Sequence, residues 1–164
     1  MAEAFSNKLT RAAGIVTTSS SGAVGIGTTI ITGISTVGVA VSDLVDNTNF
    51  IAGTKVSAIG INTVYADRDS TNTAAASAQI FKFLGMTTAY TSAASTKSVL
   101  IGGTFANNTA NSVNLTVEIH DASAGIQAAL ASKIPVPTGS SFVISEAGKT
   151  ILEATDEVRV FCDT

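Results

Sequence analysis

Two short stretches of this chain bring reactive side chains together in sequence, and a third clusters glycines. His120-Asp121 sets an imidazole beside a carboxylate, the pairing of a general base with an orienting acid. Alternation along the surrounding segment, however, places His120 on an outer strand face beside Glu118 and leaves Asp121 to begin a turn. No nucleophile motif lies nearby, so no catalytic residue is expected. Asp67-Arg68-Asp69 offers two carboxylates two positions apart, followed only by Ser70, Thr71 and Asn72. A calcium loop needs a longer run of oxygen ligands and a glycine at its sharp bend, so this segment reads as a solvated turn. Gly22-Ala23-Val24-Gly25-Ile26-Gly27 clusters glycines without the ordered spacing of a dinucleotide loop and without a helix pattern after it, which makes it a β-turn region. Cys162, the single cysteine, falls in phase with Val158 and Val160 and reads as a small core residue. One cysteine permits neither an internal disulfide nor a cysteine-based metal site. No cofactor or metal is expected.

The elements that would carry these residues are strands. Val113, Leu115, Val117 and Ile119 alternate with Asn114, Thr116, Glu118 and His120, the period of a half-buried β-strand. Turn chemistry punctuates the segments that follow, at residues 121–125, 135–139 and 146–149. In the first half, four Gly-Ile-x-Thr segments beginning at Gly14, Gly25, Gly33 and Gly60 read as strand starts. Val37, Val39 and Val41 alternate as a strand, residues 43–49 supply turn formers, and residues 55–59 and 63–66 form two more strands. Residues 68–78 read as a loop or short helical turn, and residues 79–86 as an apolar strand with Phe81 and Phe83. Residues 122–133 carry helix-favouring Ala128, Ala129, Leu130 and Ala131 in a position that favours a strand, and both readings stay open. Small polar residues at 91–96 divide the chain. The expected organisation is an N-terminal arm over residues 1–13, a small β-module over 14–92 and a β-sandwich module over 97–164.

Composition narrows the function classes. Of 164 residues 45% are hydrophobic, enough for a real core, while only 13% are charged, about half the usual share. Thr, Ser, Asn, Gly and Ala must clothe the outer faces, and such surfaces pack against protein with little charge to desolvate. The net charge of −3 and nine scattered Lys and Arg residues argue against nucleic-acid binding, which needs a basic field. The uncharged stretch from Ala12 to Ser42 is too rich in Gly, Ser and Thr for a membrane helix and reads as a β-region; no membrane partner is expected. Glu3 and the lack of an apolar core after it do not fit a secretory signal. Two tyrosines and no tryptophan leave little for stacking sugar rings.

The second half resembles a β-sandwich module of small virion proteins from tailed bacteriophages, notably contractile-tailed phages of marine cyanobacteria. The resemblance rests on Ser98-Val99-Leu100-Ile101-Gly102-Gly103, Ala106-Asn107-Asn108-Thr109, Val113-Asn114-Leu115-Thr116-Val117, Ile134-Pro135-Val136-Pro137, Gly139-Ser140-Ser141 and Lys149 through Val160. The valine strand, Gly53-Thr54-Lys55-Val56 and Thr63-Val64 likewise resemble a β-module of phage tail and adhesin-type proteins, with Ile51-Ala52 in place of the usual Ile-Pro.

The resemblance implies an all-β fold, a small β-module followed by an antiparallel, jelly-roll-like sandwich, and a non-enzymatic structural role in the virion, assembled in the host cytoplasm. Head decoration or cementing is the first expectation. A neck, tail or fibre-associated protein with a receptor- or glycan-binding role is the alternative. Partners would be a major capsid, neck or tail protein and further copies of the chain in a homo-oligomer. Thr116 and Glu118 on the polar face of one strand, and Arg159 and Phe161 on the outward face of the last, are the candidate partner contacts. Many relatives of the module carry another strand after the position of Val160, so residues 157–161 are expected at a sheet edge.

Overall fold

The computed structural model describes residues 7–10, 14–144 and 150–163. Most of the expected N-terminal arm and the turn at 146–149 lie outside them. The chain is all-β: β1 (Ile15–Val24), β2 (Ile30–Thr32), β3 (Leu44–Asp46), β4 (Val56–Gly60), β5 (Thr63–Ala66), β6 (Ala76–Gly85), β7 (Thr87–Thr91), β8 (Ser98–Leu100), β9 (Gly103–Ala106), β10 (Val113–Asp121), β11 (Ile126–Val136), β12 (Ser141–Ile144), β13 (Thr150–Leu152) and β14 (Glu157–Cys162).

The first six strands form one antiparallel sheet in the order β3-β6-β1-β2-β5-β4. Its two end strands then meet. Ser42 N–H donates to Val56 O and Val56 N–H to Asp43 O, both at 2.9 Å, and Val45 N–H donates to Thr54 O at 2.9 Å. The sheet thereby closes into a small barrel, which leaves its strands without a long unpaired edge. Alternate residues fill the interior. Val24, Ile31, Val45, Val56, Val64, Phe81 and Phe83 share one core, with Phe50 edge-on to Phe81 at a centroid distance of 6.4 Å.

The second half packs a four-stranded sheet, β11-β10-β14-β7, against two two-stranded ribbons, β9–β12 and β8–β13. Leu115, Val117, Val158, Val160 and Cys162 from the sheet meet Leu152 from the facing layer, with Leu100, Phe105, Phe142 and Ile144 partly buried around them. The face assigned to Leu115 and Val117, and the core position of Cys162, agree with the two-residue period.

Several expectations need correcting. Val37, Val39 and Val41 do not form a strand. Gly38 and Ser42 adopt positive φ (81° and 77°), and Val39 N–H and Asp43 N–H close turns on Thr36 O and Ala40 O. Of the Gly-Ile-x-Thr segments only the one at Gly14 starts a strand at its Ile; that at Gly60 supplies the bend between β4 and β5, with Asn62 at φ 49°. Residues 126–136 form a strand, despite their alanines, because β10 offers a ladder from Val113 to Asp121. Residues 87–91 pair with β14, so the chain changes sheet at Met86 and not at 91–96. The last strand is no edge: β10 and β7 flank it on either side.

Candidate functional site

The four candidate contacts do share one face. Ladder pairing sets Thr116 opposite Phe161 and Glu118 opposite Arg159, on the side of the sheet away from the sandwich core. That face is not open to another molecule. Phe161 is fully buried, Glu118 and Thr116 are 5% and 7% exposed, and Arg159 is half-buried with its Nε 2.7 Å from Glu157 Oε2. The outer wall of the barrel covers Phe161 and Glu118. Phe161 packs with Leu44, Leu84 and Val16, side chains that point outward from the barrel because their neighbours Val45 and Phe83 point inward. Within this chain, the partner of Phe161 and Glu118 is the other half of the same chain, whereas Arg159 and Thr116 bond to Glu157 and the Lys133 amide of their own half.

A buried ion pair sits at the centre of this junction. Lys55 Nζ lies 2.6 Å from Glu118 Oε1, with only 8% and 6% of the two side chains exposed. The ammonium also stands 5.4 Å from the centre of the Phe161 ring, within cation–π range. Lys55 owes its position to barrel closure: it bridges Leu44, and its own N–H donates to Asp67 Oδ1 at 2.8 Å. Removing two charges from water costs several kcal/mol per ion, which only close geometry offsets. The pair therefore favours one docking of the halves over others, since any shift would strand a charge. At the rim Lys133 Nζ reaches Asp46 Oδ1 at 2.6 Å, and Lys133 N–H donates to Thr116 Oγ1 at 3.1 Å. Gly14 completes the contact. At φ 66°, a Cβ there would lie 2.5 Å from Phe161 C and Cys162 N, so only glycine lets β1 enter beside β14.

Asp43 stands near this junction, on the residue before β3. Its Oδ2 accepts from Ala40 N–H at 2.9 Å and from Thr17 Oγ1 at 3.1 Å. Burial outweighs those bonds and holds its carboxyl above the usual range. The sequence showed Asp43 only as a turn former. Its signal, an acid closing a turn immediately before Leu44-Val45, did not distinguish burial from exposure.

The stretches weighed for chemistry have structural duties. Asp121 Oδ1 accepts from Ser123 N–H and Ala124 N–H, which caps the β10–β11 turn; the Ala124 amide, the Ser123 hydroxyl and the Ser123 amide hold its carboxyl below the usual range. His120 Nδ1 lies 3.3 Å from Gln127 Nε2 on the neighbouring strand. Asp67 orders Lys55, whereas Arg68 and Asp69 are exposed. Gly22 is within β1, and the glycines after it lead to strand β2, with Gly27 at φ 55°. Among the described residues no group of three or more His, Cys, Asp or Glu side chains is gathered as a metal site.

What lies open to other molecules is neutral and apolar in part. Ile30 and Tyr65 pair across β2 and β5 with both side chains outward, and Val99 and Ile151 pair likewise across β8 and β13. Beside Ile30, a shallow groove of about 370 Å³ runs between Ala23, Thr32 and Ala76. Comparisons with protein-family models, with curated proteins and with solved structures found no match.

Proposed function

We propose that this protein is a non-enzymatic structural component of a tailed-phage particle that decorates or cements the head by packing neutral β-surface against neighbouring protein. The observation that carries the reading is the outward apolar pairing on a chain with so little charge. Ile30–Tyr65 on the barrel and Val99–Ile151 on the sandwich lie on two separate surfaces, each able to bury area at small desolvation cost. The buried Lys55–Glu118 pair supports the same reading, because it fixes the relative placing of those surfaces. The resemblance of residues 97–161 to phage virion modules supplies the setting.

Electron microscopy of purified particles carrying a labelled copy tests this. Label on the head surface is expected. Label confined to the tail or fibres would move the protein to the alternative station, and a protein absent from purified particles would end the structural reading.

A further inference from the structure

We draw no further inference here: the strongest candidate, the uncharged outer wall of the barrel where Ile30 and Tyr65 pair across β2 and β5 beside the groove between Ala23, Thr32 and Ala76, belongs to the surface already described, and nothing in the structure shows what covers it.

Discussion

The two faces of the β10–β14 sheet both carry buried side chains and are chemically unlike. One carries Leu115, Val117, Val158 and Val160 into the sandwich core; the other carries Thr116, Glu118 and Phe161 against the barrel. The first face gains its stability from apolar area, roughly 25 cal/mol per Å² removed from water, and tolerates small sliding of its partner layer. The second contains a charge satisfied in one docking only, by Lys55, and a hydroxyl that accepts from the Lys133 amide of the neighbouring strand β11. On that second face Phe161 packs against Leu44, Leu84 and Val16 to make the halves adhere, and the Lys55–Glu118 pair decides how. For a protein that presents surfaces from both halves, that second property matters more.

The contrast can be tested by truncation on each face. Phe161→Ala should give the largest loss, about 3–5 kcal/mol in urea unfolding, because a fully buried ring lies between Leu44, Leu84 and Lys55. An effect below about 1 kcal/mol would mean that the barrel does not seal this face. Leu115→Ala on the core face should follow at about 2–5 kcal/mol. Thr116→Ala should cost about 1–2 kcal/mol, since it leaves the Lys133 amide without its acceptor. That is smaller than the core-face loss but clearly measurable, in contrast to a solvent-facing threonine.

Asp43 gives a pH-dependent handle. Its carboxyl is raised in the folded chain, so the folded state holds this proton more tightly than the unfolded state. Its contribution to stability is therefore greatest below the ordinary carboxylate range and is lost as pH rises through the raised value. Asp43→Asn should remove that downward slope and leave the protein relatively more stable at neutral pH than at acid pH, compared with the wild type. Unfolding curves across pH 3.5 to 7, a window chosen around the ordinary carboxylate range, check the sign; parallel profiles would contradict it. The smallest effect is expected at the rim, where Lys133→Ala breaks a half-exposed pair with Asp46 and should cost less than about 1 kcal/mol, shrinking further in high salt.

Much of this architecture was legible in the chain because strand alternation is local. The period of two across residues 113–120 sorted both faces of β10 correctly, and the phase of Val158, Val160 and Cys162 did the same for β14. What alternation cannot report is what covers the polar face. Thr116, Glu118 and Phe161 read as outward, which is true of the sandwich and untrue of the whole chain. An available signal was Phe161 itself, a large aromatic ring on a face otherwise polar, and the isolated Lys55 beside the strand residues of the first half. The valine alternation at 37–41 misled for the opposite reason. Gly38 and Ser42 take left-handed φ, and the Asp43 carboxylate binds Ala40 N–H, so local turn chemistry overrode a pattern of β-branched side chains. Closure of the barrel was beyond local reading altogether, since residues 42–45 meet residues 54–56 through backbone groups that any sequence possesses.

The buried Lys55–Glu118 pair locks the two halves in one docking. A double-mutant cycle with Lys55→Met, Glu118→Leu and the combined variant, followed by urea unfolding, tests it most directly. Each single change should cost about 3–5 kcal/mol by leaving an uncompensated buried charge, and the double variant should cost far less than the sum. Single losses below about 1 kcal/mol that simply add would show the two side chains to be solvated and uncoupled, and would contradict the docking described here.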